Sequence, residues 1–77
     1  MYQRIRDLRE DRDLTQMNMG KVLFCSQRVY SKYERGEADV PTRILIELAQ
    51  FHGTSVDYLL GLTDEKNPYP PSKRKMW

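Results

Sequence analysis

The sequence predicts an all-α fold of five short helices. Bulky apolar residues recur at helical spacings of three and four in successive runs. These runs are Tyr2, Ile5 and Leu8; Met19 and Leu23; Tyr30 and Tyr33; Ile44, Leu45, Leu48 and Ala49; and Val56, Leu59 and Leu60. Thr15, Ser26 and Ser55 each stand just before a run, where a side-chain oxygen accepts from a free first-turn amide. Gly36, Gly53 and Gly61 each follow a run, where glycine takes the left-handed backbone that stops a helix. No alternating pattern marks a strand.

The first helix is expected over about Gln3 to Asp11, a run of strong helix formers whose Arg and Asp side chains face water. Arg12 and Asp13 end it, with Asp13 where positive φ is often required and aspartate is tolerated. Leu14 plugs the core, and Thr15 caps the second helix so that its amino end, with Gln16, points outward. Free amides and the helix dipole at such an end hold a phosphate without a charged side chain. Gly20 costs this helix roughly 1 kcal/mol relative to alanine, and close approach of two backbones explains it. Phe24 occupies the following turn; it takes positive φ at a cost of about 1 kcal/mol or more, or the turn has another shape. The third helix starts at Gln27 and runs to Gly36. Pro41 is expected in the first turn of a fourth helix, Thr42 to His52, where its missing amide is harmless. His52 at the carboxyl end is expected to partner the dipole, and a short fifth helix runs from the Ser55 cap to Gly61.

From Thr63 onward apolar periodicity fails, and Asn67, Pro68, Pro70 and Pro71 oppose helix. The expected division is a helical domain, residues 1–62, and a flexible, Pro-rich, basic tail, residues 63–77. Lys73, Arg74 and Lys75 of that tail suit a phosphate backbone, and Tyr69 and Trp77 suit a partner subunit. Seventy-seven residues allow one domain, and a chain of this size buries only about 60% of its unfolded surface. The longest apolar run is Ile44 to Ile46, so neither a membrane span nor a secretory segment is expected, and the protein is expected to be cytoplasmic. Cys25 alone builds no disulfide framework, and with His52 alone no zinc site; it is expected to be a buried, inert thiol. No metal, cofactor or small-molecule ligand is indicated, and one His, one Cys and scattered acids form no catalytic set, so no enzyme is expected.

Charge is segregated along the chain. Residues 1–36 carry eight Lys and Arg against five Asp and Glu, whereas residues 37–65 carry Arg43 against six acids. A basic first half suits a polyanion and an acidic second half suits facing away from it. Within the basic half, Gln27, Arg28, Ser31 and Lys32 share the face of the third helix that Tyr30 and Tyr33 leave outward. Glutamine and arginine carry the paired donors and acceptors that match adenine and guanine edges in the major groove. The stretch from Thr15 to Gly36 therefore reads as two helices and a tight turn offering a polar edge to double-stranded DNA.

These residues resemble the Cro/repressor (XRE-type) helix-turn-helix family. The resemblance rests on LTQ at Leu14 to Gln16, SQRVYSKYERG at Ser26 to Gly36, ILIELA at Ile44 to Ala49 and SVDYLLG at Ser55 to Gly61, and covers about residues 3 to 62 in order and spacing. It implies a five-helix, lambda-repressor-like DNA-binding domain whose helix-turn-helix is formed by helices 2 and 3. It also implies base contacts from Gln27, Arg28, Ser31 and Lys32 in a recognition helix over residues 27–34. Tyr30 and Tyr33 match core positions of the family, and Arg9 and Glu34 match a partly buried structural ion pair. Glu37 and Asp39 depart from it, since family members often have basic residues in that loop; phosphate contacts are then expected from Gln16, Lys21, Arg35 and Arg43. The family binds palindromic operators as symmetric dimers, and Tyr58, Leu60 and Leu62, which follow the DNA-facing half, are the expected homodimer surface. The function implied is a sequence-specific transcriptional regulator, foremost a repressor. The alternative is an adaptor or antitoxin of the same fold that chiefly binds a protein.

Overall fold

A computed structural model describes residues 2–68, and all of its regular structure is helical among them. The helices are α1 (Gln3–Asp11), α2 (Gln16–Val22), α3 (Gln27–Arg35), α4 (Thr42–His52) and α5 (Val56–Leu59). Ile5 and Leu8 of α1, Met19 of α2 with Leu23 just beyond it, Tyr30 and Tyr33 of α3, Ile44, Leu48 and Ala49 of α4, and Leu59 of α5 form one buried cluster. Each comes from the periodic runs of the sequence, so the period located the inward face of every helix. Val29 lies outside the cluster and is exposed, because it falls one position before Tyr30 and off the buried arc.

All five helices end in the same way. In each, an amide donates to the carbonyl five residues back: Leu14 to Arg9 at 3.2 Å, Cys25 to Gly20 at 2.8 Å, and Glu37 to Lys32, Thr54 to Ala49 and Leu62 to Asp57 at 2.9 Å. This closure satisfies an orphan carbonyl and requires positive φ at the residue before the donor. The five residues in that position are Asp13 and Phe24, both at φ 56°, and Gly36, Gly53 and Gly61. Phe24 therefore takes the strained option, and its side chain is 89% exposed. The starts are equally regular: Ser26 Oγ accepts from the Val29 amide and Ser55 Oγ from the Tyr58 amide, both at 3.1 Å. Thr15 makes a reciprocal cap with Asn18, its Oγ1 accepting from the Asn18 backbone amide while the Asn18 side-chain Oδ1 accepts from the Thr15 backbone amide. Pro41 sits one residue earlier than expected, as the N-cap of α4 with extended ψ of 149°, where its ring sets the approach to the helix.

Gly20 is buried where the end of α2 meets the turn. A Cβ built there would lie 2.7 Å from the Cys25 carbonyl oxygen and 3.3 Å from the Gln27 amide nitrogen. Both neighbours are backbone, so neither gives way cheaply. The close approach expected of this glycine is thus between α2 and the turn leading into α3.

His52 is not the dipole partner its position suggested. It is buried, both ring nitrogens lack hydrogen-bond partners, and its ring meets Phe51 edge-on at 5.1 Å. Burial, reinforced by the charges of Arg12 and Lys66, lowers its pKa to about 4, so it is neutral at pH 7. The chain after α5 also departs from expectation. Arg4 donates to the carbonyls of Tyr58 and Thr63 and pairs with Asp64 at 2.7 Å, while the Thr54 hydroxyl donates to the Lys66 carbonyl at 2.6 Å. Residues 63–66 are thereby strapped to α1 and to the end of α4, although the sequence placed the tail from Thr63. Tyr69, Lys73, Arg74, Lys75 and Trp77 lie outside the described residues.

Three measurements check these features. Gly20→Ala should lower stability by about 1–3 kcal/mol despite its better helix propensity, seen as a fall of several degrees in Tm. Phe24→Gly should raise Tm, because it relieves left-handed strain of about 1 kcal/mol and gives up almost no burial. For His52, the unfolded chain takes up a proton below about pH 6.5 and the folded chain resists until about pH 4. Stability is therefore fully present above pH 6.5 and declines as pH falls to about 4, by on the order of 2–3 kcal/mol; His52→Leu should flatten urea midpoints across that window.

Candidate nucleic-acid interface

α3 is divided lengthwise by burial. At roughly 100° per residue, Tyr30, Tyr33 and Glu34 occupy the buried arc, and Gln27, Arg28, Ser31, Lys32 and Arg35 fall on the other. Gln27, Arg28, Ser31 and Arg35, with Ser26 and with Gln16 from α2, surround an open hollow of about 530 Å³. The structure thus brings together three residues expected at bases and two expected at phosphates. Lys32 lies on the same helix but lines neither this hollow nor the neighbouring one beside Arg9, being half-buried at the border towards Val29. Lys21 is exposed on α2 away from this hollow. Arg43 is in the first turn of α4, pairs with Glu47 at 2.9 Å and lines a separate hollow with Ile46 and Gln50. Arg35 pairs with Glu37, so one of the loop acids neutralises a cation lining this hollow. Cys25 is half-buried rather than fully buried as expected, and burial raises the pKa of its thiol, which favours the protonated form.

Arg9 and Glu34 form an ion pair with side chains only 13% and 3% exposed. Arg9 Nε donates to Glu34 Oε2 at 2.7 Å and Nη2 to Oε1 at 3.2 Å, while Nη1 donates to the Leu14 carbonyl at 2.8 Å. One guanidinium therefore holds the end of α3 and the residue before the α2 cap. Gln16 joins them, its Nε2 donating to Glu34 Oε1 at 3.1 Å. Burial pushes the Glu34 pKa up, but hydrogen bonds from Arg9 and Gln16, the adjacent Tyr30 hydroxyl and the Arg9 charge outweigh it and leave the carboxyl below its usual value. The Tyr30 hydroxyl is itself buried beside this carboxylate, and that burial, with the carboxylate's nearness, holds the phenol protonated.

Two contacts escaped the sequence reading. The Gln16 to Glu34 bond joins residues eighteen apart and depends on how α2 crosses α3. The Arg4 guanidinium stacks 4.1 Å from the centre of the Tyr58 ring. Tyr58, expected at a dimer surface, is thus already half-covered within its own chain; Leu60 is half-buried, and Leu62 is 72% exposed.

Two helices joined at a turn of four residues, Leu23 to Ser26, with the second helix buried along one arc and polar along the other, make a helix-turn-helix unit. The chain belongs to the XRE-type helix-turn-helix family: residues 3–60 match the model of a helix-turn-helix domain. Over 69 residues it is 38% identical to a protein of Bacillus subtilis (strain 168) described as the uncharacterized HTH-type transcriptional regulator YobD. The alignment covers 88% of this chain and 62% of that protein, so the chain spans less than two thirds of its relative's length.

Arg9→Met should destabilise the domain by about 3–5 kcal/mol in urea titration, because Glu34 stays buried without its partner. Replacing both, as Arg9→Met with Glu34→Leu, should recover most of that loss. Because the folded Glu34 carboxyl is depressed, its contribution is present above the unfolded carboxyl pKa and lost as pH falls through the folded value. The double variant should therefore be less acid-labile than wild type below about pH 4.

Proposed function

We propose that this chain is a sequence-specific, double-stranded DNA-binding transcription regulator that reads the major groove with α3. The observation that carries this reading is the convergence of Gln27, Arg28 and Ser31 with Gln16 and Arg35 around one open hollow on a helix anchored along its opposite arc. Arg28 offers a bidentate donor pair to guanine and Gln27 a donor and acceptor to adenine, while Arg35 and Gln16 lie where the flanking phosphates pass. Lys32, at the edge of the arc, reaches phosphate or an outlying base; Lys21 and Arg43 supply long-range attraction and contact the backbone only where the duplex bends towards them. Membership of the helix-turn-helix family and the likeness to a Bacillus protein described as a transcriptional regulator support the same class of function.

One recognition helix spans four or five base pairs, roughly half of what a useful operator needs, so the protein acts as a homodimer on two half-sites about one helical turn apart. The exposed Leu62 and half-buried Leu60, next to the strap that follows α5, are the apolar groups available for that contact. Occupancy of such a site blocks polymerase, so repression is the mode proposed. Among the described residues no helix is long and apolar enough to cross a membrane.

Selection from random duplexes should return a palindrome with half-sites about one turn apart; recovery of no preferred sequence would sink the base-reading role. On the selected duplex, Arg28→Ala should cost about 1–3 kcal/mol and relax choice at one base pair per half-site, as read by titration against single-base variants. Affinity should also fall steeply with salt; a flat response would instead favour a protein partner on this fold.

A further inference from the structure

We propose that Glu34 is a positioning residue for this interface: its buried carboxylate holds the side-chain amide of Gln16 in one orientation at the rim of the α3 hollow. The inference rests on the DNA-binding reading above and goes beyond it, because Glu34 faces the core. Both Glu34 oxygens are engaged by Arg9, at 2.7 and 3.2 Å, so the plane of the carboxylate is set before Gln16 is considered. Arg9 is set in turn by the Leu14 carbonyl at 2.8 Å. Against this fixed acceptor Gln16 Nε2 donates at 3.1 Å. A carboxylate only accepts, so the flipped amide, with its carbonyl oxygen against Oε1, is excluded. What remains for a ligand is one N–H and the carbonyl oxygen of Gln16, in a fixed relation to α3.

The location gives this orientation a consequence. Gln16, Ser31 and Arg35 border both the hollow shared with Gln27 and Arg28 and a second one shared with Arg6, Arg9 and Glu34. Gln16, with Ser31 and Arg35, thus forms the wall between the α3 hollow and the buried pair, and it is the one of the three hydrogen-bonded to Glu34. The Arg9 charge neutralises Glu34, so an anion close to the path of a phosphate backbone does not repel it, and the neutral amide is what the pair presents outward. A glutamine ordered in advance loses less freedom on binding than one ordered by DNA.

Four proteins form the test on the selected duplex at fixed salt and at a temperature where circular dichroism finds each folded: wild type, Gln16→Ala, the paired Arg9→Met/Glu34→Leu variant, and all three changes together. The paired variant keeps the volume of the ion pair and removes the acceptor. Gln16→Ala should weaken binding about tenfold with Glu34 present, the size of a hydrogen bond involving a charged partner, and less than about twofold without it. Equal losses in the two backgrounds would overturn the positioning role while leaving DNA binding intact; no binding by wild type to any duplex would overturn both. If the paired variant does not fold, nuclear magnetic resonance of the free wild-type protein decides. One Gln16 side-chain amide proton should exchange with water more slowly than those of Gln27, and equally fast exchange would overturn the proposal.

Discussion

The arrangement of the first three helices depends on one guanidinium. Arg9 reaches from α1 to the end of α3 and to the carbonyl just ahead of α2, so three chain segments meet at a single side chain. Its charge is removed from water only because Glu34 and a carbonyl replace the lost hydration, and that replacement must be complete to be worthwhile. The geometry is therefore demanding: a small rotation of α3 would strand two opposite charges in the interior. That demand gives α3 a defined rotational setting about its own axis, and the outward arc inherits it. Apolar packing by Tyr30 and Tyr33 supplies cohesion but tolerates sliding far better than a bidentate ion pair does.

The helix ends were the most readable part of the chain. Their chemistry is local: a hydroxyl two or three residues from an amide, or a residue that accepts positive φ just past the last apolar position. Thr15, Ser26, Ser55, Gly36, Gly53 and Gly61 each announce a boundary without knowledge of anything distant. Asp13 and Phe24 fill the same backbone role with side chains that give weaker signals, and at Phe24 only the conformation itself, at φ 56°, decides between the alternatives. The outward face of α3 was readable for a related reason, since the period that buries Tyr30 and Tyr33 leaves Gln27, Arg28 and Ser31 on the other side.

The misreadings share an origin in contacts between residues far apart in sequence. His52 has a helix-terminal position that favours a cation, yet its burial and the nearness of Arg12 and Lys66 follow from how the end of α4 is covered. Composition indicated no helix beyond Leu62, and residues 63–68 are not helical, but irregular backbone is fastened whenever its carbonyls find donors, and Arg4 and Thr54 provide them. Glu34 was legible as half of an ion pair and not as an acceptor for Gln16, because that bond depends on the crossing of two helices that Gly20 permits.

The strap made by Arg4 also bears on how the domain comes into being. Arg4 meets Asp64 across a separation of sixty residues, and its other partners, Tyr58 and Thr63, lie in and just after α5, so a side chain of α1 finds its partners only after the four helices that precede α5. During synthesis α1 to α3 would emerge with their mutual ion pair available, while the start of α1 waits for α5 and the segment just after it. A nascent chain released short of that point would hold its helices with a loose edge along α1. Closing so long a loop carries little more entropic cost than closing one half its length, which makes a late fastening of this kind economical for so small a domain.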